Sequence, residues 1–259
     1  MYLKGNGAVM CADYWNDEEI EKSKSYWIEN IDDPRLLNHL RTETNLERCF
    51  RDALSFVESR LGGIRGTVLE LGAGVCLTTA ILSRCADVEK VIAVDISKHR
   101  LFRLAPIVFQ QYHALEHKIE RVVDSAENIE CRENALDAVV FCQALYMISE
   151  PVPLLRMPYE CLKPDSLVLV ACEHIEGPKP WRGRAKLWLQ SLLSGHLIPR
   201  MPADDSGRHS YEDHHYRKFI RASGFRLFRQ SLDYPVLHNS PVNAINYFGV
   251  KPGPLAARK

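Results

Sequence analysis

Thr67-Val68-Leu69-Glu70-Leu71-Gly72-Ala73-Gly74-Val75-Cys76 is an apolar run that ends in two glycines one residue apart. It reads as a buried strand feeding a tight turn. Glycine tolerates positive φ at such a turn and lets the backbone approach a ligand where a side chain would fill the space. Val91-Ile92-Ala93-Val94-Asp95 follows as a second strand with an acid at its tip. An acid about 20 residues beyond the turn is the usual partner of ribose hydroxyls. Strand, glycine turn and acid together describe a nucleotide-type pocket.

Two enzyme classes use such a pocket, and the local residues separate them. A dinucleotide-binding dehydrogenase wants a third glycine where Leu77 stands, and Glu70 would add like charge beside a pyrophosphate. A sulfonium cofactor that carries an ammonium group has the opposite requirement. The Glu70-Leu71-Gly72-Ala73-Gly74 core therefore resembles motif I of the class I S-adenosylmethionine-dependent methyltransferases.

Outward from this core the chain alternates short apolar strands with helices, the pattern of parallel β-α-β units covered on both faces. Strands are expected near 68–71, 91–94, 119–123, 135–141 and 167–172, with helices near 77–85, 98–116 and 152–162. Lys163-Pro164-Asp165 reads as a helix stop and turn. Upstream, residues 17–60 have helical apolar spacing, broken at Asp33-Pro34 because the residue before proline leaves the helical region. Downstream, 177–207 is rich in Pro, Trp and Arg and reads as a lid. Ser210-Tyr211-Glu212-Asp213 resembles a capped helix start, and strands near 225–232 and 244–250 close the chain. The expected division is a helical cap over 1–62 and a domain over 63–259 that carries the lid.

Composition narrows the partners. The 259 residues include 33 basic and 33 acidic side chains, so the formal net charge is zero and no global field recruits nucleic acid or an anionic membrane. No apolar run approaches the ~20 residues that span a bilayer, and a soluble, cytoplasmic protein is expected. The eight cysteines lack the spacing of a zinc site. Cys142, Cys161 and Cys172 lie in apolar runs and read as reduced, buried thiols, with no metal site.

The methyltransferase resemblance covers 66–174 and is closest to the small-molecule subgroup described as type 11. Besides motif I and Asp95 it rests on Asp124-Ser125-Ala126-Glu127-Asn128-Ile129, on Leu136-Asp137-Ala138-Val139-Val140, and on Cys142-Gln143-Ala144-Leu145-Tyr146-Met147. It implies a Rossmann-like, mostly parallel seven-stranded sheet with helices on both faces. The last strand is antiparallel, inserted between the fifth and the sixth.

The resemblance also implies roles. Gly72, Ala73 and Gly74 would let the methionine part of S-adenosylmethionine lie against backbone, with the next helix offering N–H groups to its carboxylate. Glu70 would hold the amino group, directly or through water. Asp95 would accept the ribose hydroxyls, Ile96 would pack on adenine, and Ala126 with Asp124 or Ser125 would read the adenine edge. Gln143 would face the methyl. Against these stand a solvated strand end for Glu70 and a cap on Ser97-Lys98 for Asp95.

Methyl transfer is an in-line displacement on an electrophile that is already reactive, so alignment and desolvation dominate. His174, at the end of the fifth strand, is the candidate base. Tyr146, Trp27 and Trp181 are candidates to line the acceptor site and to favour the sulfonium by cation-π contact. The function expected is methyl transfer to oxygen or nitrogen of a small molecule by a monomer or homodimer. An RNA or protein methyltransferase and a non-catalytic cofactor-binding accessory subunit are the alternatives.

Overall fold

Seven apolar segments assemble into one sheet because each β-α-β unit places its next strand parallel to the last and covers a face with its helix. The computed structural model describes residues 33–173, 175, 209, 211–238 and 240–253. Most of the expected N-terminal cap and the 177–207 lid lie outside them.

The described elements in chain order are α1 (Asp33–Asn38), α2 (Leu46–Leu61), β1 (Gly66–Leu71), α3 (Leu77–Ser83), β2 (Val88–Asp95), α4 (Ala105–Tyr112), β3 (Ile119–Val123), β4 (Leu136–Cys142), α5 (Pro151–Cys161), β5 (Leu162–Ala171), α6 (Asp213–Ala222), β6 (Arg226–Ser231) and β7 (Ile245–Val250). The strand order is β3-β2-β1-β4-β5-β7-β6. Neighbours pair in parallel except that β7 runs antiparallel to both β5 and β6. This is the Rossmann-like arrangement expected, with β7 inserted as anticipated.

Side chains alternate across the strands into two cores. Val68, Val91, Ala93, Ala138 and Val140 face the layer that holds α2, α3 and α4. Leu69, Leu71, Ile92, Val139 and Phe141 face the layer of α5 and α6. Burial on both faces explains why the central strands read as continuous apolar runs rather than as alternating ones.

Helix α2 belongs to the first core. It buries Cys49, Phe50, Ala53 and Val57 and stops at Gly62, where φ is +83°. Phe56 stacks on Phe248 of β7 with ring centroids 4.6 Å apart. Asn246, fully buried on β7, ties the same helix to the sheet. Its amide oxygen accepts the Cys172 N–H at 3.1 Å and the Cys49 thiol at 3.4 Å, and its nitrogen donates to the Cys49 carbonyl at 3.3 Å and to Gln230 Oε1 at 3.1 Å.

Three local expectations are corrected. Asp33-Pro34 opens the first described helix, and the helical pattern into 60 is interrupted at Thr44-Asn45, where no break was expected. There Asn45 gives its N–H to the Val236 carbonyl at 2.7 Å and its side-chain amide to the Pro235 carbonyl at 2.8 Å. Lys163-Pro164-Asp165 is not a helix stop followed by a turn, because α5 has already ended at Cys161 and β5 begins at Leu162. It is absorbed as an irregularity within β5, which shifts from Leu162 opposite Leu136 to Leu167 opposite Ala138, with Asp165 at φ +62°. Helix α6 is capped by Glu212 rather than Ser210, in a box completed by His215, whose Nδ1 accepts the Glu212 N–H at 3.0 Å. Among the described residues no helix is long and apolar enough to cross a membrane.

Candidate functional site

The order of strands reverses between β1 and β4, and the crevice beyond the carboxyl ends of strands at such a switch point is where open α/β sheets bind ligands. The glycine turn after β1 lies there. Gly72 and Ala73 both donate to the Val94 carbonyl at 2.9 Å, so the turn is docked on the end of β2. Gly72 has φ +76°, and Gly74 has φ +53°.

Asp95 ends β2 and staples the turn from the other side. Its Oδ2 accepts the Gly74 N–H and its Oδ1 accepts the Ser97 N–H, each at 2.8 Å. The cap-like bond to Ser97, weighed against a ribose role in the sequence, is therefore present. Each carboxylate oxygen has a further lone pair, so the two roles are compatible. Ile96, next in the chain, is exposed at 39% of its surface. An apolar side chain left in solvent at this point offers a face to an aromatic ring.

Glu70 is not at a solvated strand end. It shares the α3 face of β1 with Val68, is fully buried, and receives the hydroxyls of Thr78 and Thr79 on its two oxygens. Burial pushes its carboxyl up to about 7, while the two threonine hydroxyls hold it down. The pair Thr78-Thr79 was not singled out in the sequence. Two hydroxyls one turn after a glycine loop, on a helix whose seven residues are all buried, were the available signal.

The adenine-reading candidates sit together beyond β3. The Asp124 N–H donates to the Asp95 carbonyl at 3.1 Å, which docks this segment on the tip of β2. Asp124 Oδ1 accepts the Ser125 N–H at 2.7 Å and the Asn128 amide at 3.0 Å. Ser125 Oγ accepts the Glu127 N–H at 3.4 Å and so caps the short turn that Ala126 opens.

Gln143 follows β4 at φ +52° and donates its N–H to the Ala171 carbonyl at 3.2 Å. The Tyr146 carbonyl accepts the His209 N–H at 2.8 Å. His174, Trp27 and Trp181 lie outside the described residues. Sequence reasoning passed over Glu173, the residue before His174, which is buried just beyond β5 and receives the N–H groups of Ala144, Leu145 and Tyr146, each at 3.0 Å. Its signal was a lone acid closing the apolar run Leu167–Cys172.

Residues 69–170 match the family model described as "Methyltransferase domain". Among solved structures, a SAM-dependent methyltransferase from Methanosarcina mazei is 13% identical, with a TM-score of 0.55 over 76% of this chain and 97% of its own. A SAM dependent methyltransferase from Aquifex aeolicus is 15% identical, with a TM-score of 0.53 over 85% of this chain and 99% of its own. The cyclase SpnF is 15% identical, with a TM-score of 0.58 over 78% and 81% respectively. At these identities the structural likeness is one of fold. No curated protein matches the chain. Residues 69–170 are thus similar to a methyltransferase domain, and the fold shared with these solved structures is the Rossmann-like one found in S-adenosylmethionine-dependent methyltransferases.

The residues present fit that cofactor. A Cβ built on Gly72 would lie 2.5 Å from the Ala144 Cβ, so the backbone comes as close there as glycine alone permits, and a Cβ on Gly74 would meet nothing within 4 Å. The turn is thus closed against the protein at its first glycine and open at its second. The cofactor's ammonium suits a nearby carboxylate, and its ribose suits the accepting oxygens of Asp95.

Proposed function

We propose that the chain transfers the methyl group of S-adenosylmethionine to an oxygen or nitrogen of a small-molecule acceptor by in-line displacement. In this reading Gly72, Ala73 and Gly74 cradle the methionine portion and Glu70 neutralises its ammonium. Asp95 binds the ribose, and Ile96, Asp124, Ser125 and Ala126 frame the adenine. Gln143 orients the methyl donor. The acceptor lies against Tyr146, with Trp27 and Trp181 contributed by a helical cap over 1–62 and a lid over 177–207, and His174 takes the acceptor's proton.

When bound, the sulfonium supplies an electrophilic methyl carbon. What remains for the protein is to hold the acceptor in line and dry while the new C–O or C–N bond forms. The observation that supports a small acceptor is the tip of β4. Gln143-Ala144-Leu145-Tyr146-Met147 carries no ionisable group except one phenol, and its turn is pinned by Glu173 beside the glycine loop. That is a fixed, uncharged wall suited to a compact acceptor. A polyanion would call for clustered cations instead.

The test is methyl transfer from isotopically labelled cofactor to a cell extract separated into small-molecule, protein and RNA fractions. Label in the small-molecule fraction is expected. Label confined to RNA or protein would replace this reading with the corresponding macromolecular one.

A further inference from the structure

Glu173 occupies an unusual position for an acid. It follows the last residue pair of β5, is only 2% exposed, and faces the backbone of the neighbouring loop rather than solvent. Three successive N–H groups converge on it: Ala144 and Leu145 donate to Oε1, and Tyr146 donates to Oε2, all at 3.0 Å. The phenol of Tyr216, fully buried on α6, is a further donor. Successive N–H groups of a turn make an anion-binding concavity. Here the chain fills that concavity with its own carboxylate.

The consequence reaches the cofactor loop through one methyl group. Ala144, whose N–H is bound by Glu173, is the residue whose Cβ closes on Gly72. Gln143, one residue earlier, is held at positive φ between the Ala171 carbonyl and this anchored turn. Displacing Ala144 by a few tenths of an ångström therefore displaces the wall of the glycine turn and the orientation of Gln143 together.

We propose that Glu173 is a positioning residue for S-adenosylmethionine: by occupying the backbone nest of residues 144–146 it fixes the tip of β4 against Gly72 and so shapes the methionine end of the cofactor site. The proposal rests on the cofactor reading given above. The role requires a carboxylate. A glutamine of the same shape has one accepting oxygen and turns an NH₂ toward N–H donors, and an aspartate is too short to reach all three.

The titratable groups that face this carboxylate are Tyr216 from α6 and Cys142 at the end of β4. Its burial raises its carboxyl to about 7 against the backbone donors that lower it.

The experiment is calorimetric titration of the full chain and of Glu173→Gln with S-adenosylhomocysteine, alongside their thermal midpoints. Loss of a charge-assisted contact is expected to weaken binding by about tenfold or more in a variant that still melts cooperatively. Glu173→Asp should give a partial loss. Wild-type affinity in a folded Glu173→Gln would overturn the proposal. If the wild-type chain itself fails to bind S-adenosylhomocysteine, the cofactor reading falls and the proposal falls with it.

Should Glu173→Gln not fold, the wild-type amide resonances decide. Those of Ala144, Leu145 and Tyr146 should shift downfield together as the carboxylate forms between about pH 5.5 and about pH 8.5. Amides at ordinary, upfield positions at about pH 8.5, where the carboxylate is ionised, would overturn the assignment.

Discussion

Ala144 closes on Gly72 so tightly that a methyl built on the glycine would sit 2.5 Å from the alanine Cβ. The contact joins the ends of β1 and β4 at the point where the order of strands reverses. Any side chain at 72 must push that junction apart while adopting a φ that L-residues resist. Gly72→Ala should therefore cost about 1–3 kcal/mol of stability. It should also weaken S-adenosylhomocysteine binding by more than the fold loses. Urea melts paired with calorimetric titration measure both, and an alanine variant that binds as the parent does would refute the shared wall.

Asp95 serves the backbone at two places, and that changes what its removal should do. Without the carboxylate, the N–H groups of Gly74 and Ser97 lose their acceptors. Asp95→Ala is expected to lose about 1–3 kcal/mol of stability. It should also lose affinity for S-adenosylhomocysteine beyond that. A variant with full stability and lowered affinity would assign Asp95 to ribose alone.

Glu70 predicts a proton count. Its carboxyl is pushed up to about 7 by burial, so near neutrality a fraction of the molecules hold it protonated. An ammonium brought beside it favours the ionised form. Cofactor binding near pH 7 should then release protons and tighten as pH rises. Calorimetry in buffers of different ionisation enthalpy reads this directly, and Glu70→Gln should abolish the release. A buffer-independent enthalpy in the parent chain would place the ammonium elsewhere.

The same two buried acids set the pH dependence of stability. Glu70 and Glu173 each rise from an ordinary 4.5 to about 7 in the folded chain. Between those values the folded protein keeps protons that the unfolded protein has released, so their contribution is lost as pH rises through the window and is gone above about 7. The two together are worth on the order of several kcal/mol, since each pKa unit is about 1.4 kcal/mol. The thermal midpoint without cofactor should fall from about pH 5 to about pH 7 and then level off. Glu70→Gln and Glu173→Gln should each flatten part of that slope, whereas a midpoint rising over the same interval would contradict the assignment.

Asn246 offers a test confined to the fold. Four partners meet its side chain in a fully buried place. Asn246→Ala leaves the Cys172 N–H without its acceptor and should destabilise by about 1–3 kcal/mol, with little change in cofactor affinity per folded molecule.

Legibility in the sequence followed the range of the interactions. Gly72, Gly74 and Asp95 were readable because a glycine turn and an acid at fixed spacing are local requirements of one pocket. The alternation of strands and helices marked the units as parallel, whereas the place of β7 between β5 and β6 came only from the family resemblance. Glu173 was missed because its partners, Ala144 to Tyr146, lie on another strand's loop and no spacing announces them. The break at Asn45 was missed for the same reason: its bonds go to Pro235 and Val236. The cap of α6 moved from Ser210 to Glu212 because His215 supplies the return bond that the Ser-x-x-Asp pattern assigned to an aspartate. Glu70 kept its place in the motif but not its surroundings, since the threonines that enclose it are specified by how α3 packs.

Helix α2 and strand β7 are separated by most of the chain, yet Phe56 rests on Phe248 and Cys49 is bonded to Asn246. As the chain is made, α2 can settle on α3 and the sheet before its contacts with β7 exist, and the gap between β5 and β6 stays open until β7 arrives. Closure of such a distant pair is entropically slow. Part of the α2 face therefore waits for a partner 197 residues further along, and the sheet closes only once β7 has been made.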